Sequence, residues 1–211
     1  EALGVVGVIS PFNAPLALLV KMCAFPLAAG NALVVKPSEE TPLVAAEWAR
    51  LALESGLPPG VLGVVTGLGS EAGQALVQHP GVHGLAFTGS TAVGKLFMGY
   101  SAESNLKPVW PETGGKSPNL IFADCDLDAA VEHAAMGIFF NQGEVCSANS
   151  RILIESSIKD QFAEKFLAKA RSMNVGDPLD PDTQVGALID TNHACNVRKF
   201  ITQASEEGAT L

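Results

Sequence analysis

The sequence predicts an α/β protein built on a parallel sheet covered on both faces. Short β-branched runs such as Val5-Val6-Gly7-Val8-Ile9 show no polar/apolar alternation, as expected of strands buried on both sides. Helical segments with apolar faces separate these runs. The connections are short and punctuated by Gly and Pro, and the strand–helix alternation recurs five times before about Thr113.

The elements follow in order. After the strand ending at Ile9, Ser10-Pro11-Phe12-Asn13-Ala14-Pro15 is a turn, and an apolar helix runs to about Ala29. Gly30-Asn31 closes it as a left-handed cap. Ala32 to Val35 is the next strand. Thr41 as N-cap and Pro42 at the first helical position start a helix whose core face is Val44, Trp48, Leu51 and Ala52. Gly56 and Pro58 stop it. Val61 to Val65 is a strand, Gly67 to Gly73 a glycine-rich turn entering a helix to Gln78, and Gly84 to Phe87 a strand. Thr88 to Gly94 opens a helix with Val93, Leu96, Phe97 and Tyr100 facing inward. Pro108-Val109-Trp110 leads to a Gly-flanked loop holding Glu112.

A second unit begins near Gly114. Asn119 to Phe122 is a strand, and Asp126 caps a helix with Leu127, Ala130, Val131, Ala134, Ala135 and Ile138 on one face. A polar loop around Cys146 follows, then a strand from Arg151 to Glu155. Ile158, Phe162, Phe166 and Ala170 mark a further helix, and a last one covers about Asn192 to Ala204.

The chain has 211 residues, 47% hydrophobic and 17% charged, enough to bury a real core as one large domain or two small ones. Its net charge of −9, from 13 basic against 22 acidic residues with no basic cluster, argues against nucleic acid or an anionic membrane as partner. Ala14 to Val35 has the length of a membrane span, but Pro15, Pro26 and Gly30-Asn31 divide it into helix, turn and strand. The four cysteines form no C-x-x-C pair, which disfavours a disulfide framework or zinc site and suits a reducing, cytoplasmic compartment. No metal ligands stand out.

Among these cysteines only Cys146 lies in a polar, glycine-flanked setting, with Asn141, Gln142, Glu144, Ser147 and Asn149 around it. A partly exposed thiol of that kind is the reactive sort, whereas most cysteines are small buried hydrophobes. Cys23 and Cys195 lie in helices, and Cys125 stands between Asp124 and Asp126, whose charges oppose a thiolate. Gly67, Gly69 and Gly73 miss the G-x-G-x-x-G spacing by one residue. Gly89-Ser90-Thr91 places backbone N–H groups and a hydroxyl at a helix N-terminus, either a plain cap or an anion site. Glu112 is either a solvated carboxylate or a general base. Asn13 is either a turn residue or an oxyanion donor. None of the four histidines is placed as a base for Cys146, which disfavours a Cys–His hydrolase.

Six stretches, in this order and spacing, resemble the aldehyde dehydrogenase superfamily over essentially the whole chain. They are Pro11-Phe12-Asn13-Ala14-Pro15, Lys36-Pro37-Ser38-Glu39, Gly67-Leu68-Gly69, Phe87-Thr88-Gly89-Ser90-Thr91, Glu112-Thr113-Gly114-Gly115-Lys116 and Asn141-Gln142-Gly143-Glu144-Val145-Cys146. The resemblance implies a Rossmann-like NAD domain over 1–113 and the first part of an α/β catalytic domain over 114–211, with further polypeptide on either side. It also implies that Cys146 is the nucleophile, that Asn13 and the Cys146 N–H hold the oxyanion, and that Glu112 activates the water of deacylation. The cofactor would be NAD. Lys36 and Glu39 would bond its ribose, with Ser38 beside them. Ser90 and the Gly89 region would meet the pyrophosphate. Ile9, Ser10, Phe12, Gly69, Gly73, Phe87, Thr88, Val93, Thr113 and Gly114 would complete the cofactor's surroundings. A carboxylate at Glu39 would repel a 2′-phosphate, so NAD is favoured over NADP.

Three positions depart from the family pattern. Thr113 replaces a usual leucine, Phe12 a common tryptophan, and Met22 a frequent lysine, with Lys21 one position early. Lys107-Pro108-Val109-Trp110 and Phe122-Ala123-Asp124-Cys125 look most like bacterial dehydrogenases of γ-glutamylamino-butyraldehyde and related amino-aldehydes. The expected partner is a small aldehyde, and the full-length protein is expected to be a homo-oligomer, dimer or tetramer. The alternatives are a CoA-acylating semialdehyde dehydrogenase, which typically lacks the glutamate at position 112, and a catalytically inactive fragment.

Overall fold

The computed structural model describes residues 1–210. It separates into two compact units, Glu1–Gly114 and a second beginning at Gly115.

The first unit is a five-stranded sheet of β1 (Val5–Ile9), β2 (Ala32–Lys36), β3 (Leu62–Val64), β4 (Gly84–Gly89) and β5 (Val109–Thr113), in the order β3-β2-β1-β4-β5. Every pairing is parallel. Between the strands run α1 (Ala17–Ala28), α2 (Pro42–Glu54), α3 (Gln74–Gln78) and α4 (Thr91–Glu103). Successive residues of a strand point to opposite faces, so β1 feeds two cores. Val6 and Val8 pack with Leu33, Val35, Leu19 and Cys23 of α1 and Ala45 of α2. Ile9 packs on the other side with Leu76 and Val77 of α3 and Phe97 of α4. This double cover explains the unbroken apolar reading of the strand.

Local signals terminate the helices as expected. Gly30 has φ +85° and its N–H bonds to the Leu27 carbonyl, while the Asn31 N–H bonds to that of Pro26. These are the two bonds of a Schellman cap, and Pro26 is accommodated inside the last turn of α1. The buried Asn31 amide also accepts from Leu3 and Gly4 N–H, tying the cap to the start of β1. Thr41 occupies the N-cap position of α2, but its hydroxyl caps nothing and is buried without a partner.

Three other expectations shift. Leu51 and Leu96 are exposed, and the inward positions are instead Ala45 and Ala49 on α2 and Gly94 and Ser101 on α4. A helix's inward stripe depends on how the helix sits on its sheet, so neighbouring apolar residues compete for it. The third shift concerns Glu112, which belongs to β5, opposite Thr88 of β4, and not to a loop. The strand pairing carries on through Thr113, one residue short of Gly114.

The second unit pairs β6 (Pro118–Ile121) with β7 (Arg151–Ile154) in parallel, covered on one face by α5 (Leu127–Phe139) and α6 (Lys159–Ser172). The β6 strand stops one residue before Phe122. Ile121, Val131, Ala134 and Phe162 form its core, and Phe139, Phe166 and Phe162 stack in series with centroids 5.9 and 5.8 Å apart. Asp126 accepts from the Asp128 and Ala129 N–H groups, as a cap should. The last helix, α7 (Thr191–Glu206), is capped by Asp190, which accepts from the His193 N–H. Among the described residues no helix is long and apolar enough to cross a membrane, and no group of three His, Cys, Asp or Glu side chains could hold a metal ion.

Candidate functional site

In the first unit the residues singled out from the sequence gather at the carboxyl ends of the parallel strands. Ile9 at the end of β1 stands beside Lys36 on one side and Phe87 on the other. Thr88 and Gly89 pair with Glu112 and Thr113. Between β1 and β4 the strand order reverses, because the chain moves outward through β2 and β3 and then returns to the other side of β1. Open parallel sheets bind their ligands in the crevice at such a reversal. Asn13 lies in the bend after β1, and Ser90 directly follows β4, so both flank it.

The most organised polar group there is Lys36, Glu39 and Gly69. Lys36 is only 2% exposed, and its Nζ donates to Glu39 Oε2 at 2.9 Å. Glu39 is half-open to solvent. Burial pushes its carboxyl pKa up, but its own backbone N–H, the Lys36 hydrogen bond and charge, and the Gly69 N–H together hold it below the usual range. An ionised carboxylate is therefore fixed beside an open space, since a Cβ added at Gly69 would meet nothing within 4 Å. Gly73 lies farther in, buried against Phe97 and Ile9.

Ser90 is the N-cap of α4, accepting from the Val93 N–H at 3.2 Å. It thus serves as the cap considered from the sequence, and the same position leaves it at the positive end of a 13-residue helix. Gly89 cannot carry a side chain here, because a Cβ would lie 2.5 Å from the Phe87 ring. Thr88 is buried, and its hydroxyl donates to the sulfur of Met22 at 3.4 Å. Met22, at the position where lysine is frequent, is thus a neutral neighbour of β4, whereas Lys21 is exposed.

In the second unit Cys146 is half-buried in the loop between α5 and β7. Its carbonyl accepts from the Gly115 N–H, and Ala148 N–H bonds back to Val145 across it. Before it, Asn141, Gln142 and Gly143 all have positive φ, 51°, 57° and 78°. Two non-glycine residues in succession in the left-handed region cost on the order of 1–2 kcal/mol each. Such strain persists where surrounding bonds over-determine it and is concentrated at functional loops. Cys23, by contrast, is fully buried in α1, and burial pushes its thiol up to about 12.

Sequence reasoning missed one partner of this loop. His193 Nε2 stands 3.3 Å from Glu144 Oε1, two residues from Cys146. No local signal could have shown it, because the two lie 49 positions apart (193 − 144) and meet only through α7.

These features define a class: an α/β chain with a crevice at the strand-order reversal in one unit and a strained cysteine loop in the next. The family model for the aldehyde dehydrogenase family matches residues 1–211, and the chain belongs to that family. It is 49% identical to the NADP/NAD-dependent aldehyde dehydrogenase PuuC of Escherichia coli (strain K12) over all of its own length and 43% of that protein. A crystal structure of indole-3-acetaldehyde dehydrogenase with NAD+ superposes with TM-score 0.97 at 48% identity, covering 100% of this chain and 43% of that one. A gamma-glutamyl-gamma-aminobutyraldehyde dehydrogenase from Burkholderia cenocepacia J2315 superposes with TM-score 0.93 at 49% identity, covering 96% and 41%. The chain thus spans less than half the length of the relatives it matches.

Proposed function

We propose that the protein carrying this chain oxidises an aldehyde to its carboxylic acid with NAD, using Cys146 as nucleophile. The observation that supports this best is the fixed Lys36–Glu39–Gly69 group at the strand ends, on the same carboxyl edge of the sheet as the β1/β4 reversal and the α4 N-terminus. That donor set suits a dinucleotide: a carboxylate and an ammonium for ribose hydroxyls, and helix N–H groups with Ser90 for a pyrophosphate. Ile9, Ser10, Phe12, Ser38, Gly73, Phe87, Thr88, Val93, Thr113 and Gly114 are proposed to line the same cofactor. The indole-3-acetaldehyde dehydrogenase structure holds NAD+, which supports this choice.

The thiolate of Cys146 adds to the carbonyl carbon, forming a C–S bond and moving the C=O pair onto oxygen. Asn13 and the Cys146 N–H hold that oxyanion. NAD, when bound, accepts the hydride lost from the same carbon. As the carbonyl re-forms, Cys146 is left as a thioester. Glu112 then takes a proton from a water molecule whose oxygen attacks the thioester carbon. The C–S bond breaks with its electron pair returning to sulfur, which frees the acid and the thiolate.

Residues 1–113 are accordingly proposed as the NAD-binding part and 114–211 as the first part of the catalytic domain. We assign an amino-aldehyde as substrate class, supported by likeness to PuuC and the gamma-glutamyl-gamma-aminobutyraldehyde dehydrogenase. A cytoplasmic homo-oligomer, dimer or tetramer, completes the reading. A carboxylate at Glu112 favours hydrolysis over transfer to CoA.

The test is NADH absorbance with full-length protein and a panel of amino-, aryl- and alkyl-aldehydes. Turnover is expected, and Cys146→Ala should abolish it while NAD binding by calorimetry is retained. Unchanged turnover in Cys146→Ala, or acyl-CoA as the product, would overturn the reading.

A further inference from the structure

Part of what holds the strained run before Cys146 comes from the segment that leads into α7. The Gln142 amide, with its carbonyl toward the Gly186 N–H (3.0 Å) and its NH2 toward the Asn141 carbonyl (2.9 Å), ties the loop to the segment leading into α7. Two residues on, the Glu144 side chain is only 9% exposed. Its Oε1 accepts from the Ile189 N–H at 3.3 Å and faces His193 Nε2 at the same distance. His193 is itself anchored, because its N–H donates to Asp190 Oδ1 at the start of α7. The approach at Gly186 is close: a Cβ there would lie 2.8 Å from the end of the Gln142 side-chain amide. Asn141, Gln142 and Gly143 hold left-handed geometry with no regular secondary structure after them to enforce it. Residues 186–193 supply bonds that help to do so.

We propose that Glu144 is a positioning residue, which with His193 and Ile189 fixes the loop that presents Cys146. This rests on reading Cys146 as the reacting thiol. Losing the tether lets the left-handed run relax, so Cys146 gains exposure and loses its orientation. A displacement of that kind costs rate out of proportion to stability, up to about a hundredfold.

The test uses the full-length protein, with peptide-resolved iodoacetamide labelling alongside steady-state kinetics. In Glu144→Ala and His193→Ala, kcat is expected to fall about tenfold or more while Cys146 alkylates several-fold faster. Cys23 serves as the internal control and should stay unlabelled, whereas global loosening would label both thiols. The double variant should be no worse than the worse single one, as for residues acting as a unit. Glu144→Gln keeps an acceptor for the Ile189 N–H and should restore most of kcat. Gly186→Ala, which presses a methyl onto the Gln142 amide, should raise Cys146 labelling from the other tether. Parental kcat and labelling in Glu144→Ala, or additive losses in the double variant, would overturn the proposal. Should the parent oxidise no aldehyde, the proposed reaction fails, while the labelling comparison still decides whether Glu144 holds the loop.

Discussion

Lys36 and Glu39, three residues apart, form an ion pair in which the ammonium is almost wholly buried and the carboxylate faces solvent. The lysine lies at the end of β2, and the Lys36-Pro37-Ser38 turn brings the glutamate back over it. A buried ammonium stays charged only with such a partner. The strand-end position and the pair explain each other.

That pairing sets an acid dependence. Glu39 titrates below its ordinary value in the folded protein, despite the opposing push of burial, because its own backbone N–H, Lys36 and the Gly69 N–H favour the carboxylate. Its stabilisation is complete above the unfolded value of about 4.3 and is lost as pH falls through the lower folded value. Glu39→Gln should therefore lose stability relative to the parent at pH 7, and the difference should shrink as pH falls below about 4. Urea titrations at the two pH values measure it. An unchanged gap would separate Glu39 from acid stability. The same variant removes the charge that would repel a 2′-phosphate, so the ratio of NADP to NAD kcat/KM should rise in full-length protein. A static ratio would deny Glu39 a part in cofactor choice.

Glu112 is exposed on an edge strand, at a position set by its register with Thr88. If it activates the deacylating water, Glu112→Gln should leave thioester formation intact and slow its hydrolysis. Stopped-flow traces should show an NADH burst near one equivalent, then a steady state about a hundredfold slower. A burst-free trace with normal turnover would remove Glu112 from the reaction.

Phe97 reports on the core under the crevice. It is 3% exposed and meets Phe87 edge-on, with centroids 4.9 Å apart. Phe87 in turn occupies the space that a side chain at Gly89 would need. Phe97→Ala should cost about 3–5 kcal/mol through lost burial and the cavity left behind. The urea midpoint should fall with the slope unchanged. A loss under about 1 kcal/mol would mean that the α3–α4 side of the sheet repacks freely.

What could be read in the sequence was local. The strands up to Phe87, to within two residues at their ends, the cap at Gly30, the cap at Asp126 and the polar setting of Cys146 each depend on a handful of adjacent residues, and each stands in the structure where those residues place it. Backbone rules act within one or two turns of chain, so their signals survive in sequence order. The six spaced motifs likewise sufficed to place the chain in its family. Tertiary structure decided the rest. The strand order that puts the β1/β4 reversal beside Asn13 and Ser90, the exposure of Leu51 and Leu96, the contact of Thr88 with Met22, and the meeting of Glu144 with His193 all join distant residues. Such partners are chosen by how whole elements pack, since burying one face of a helix or sheet fixes every side chain on it at once.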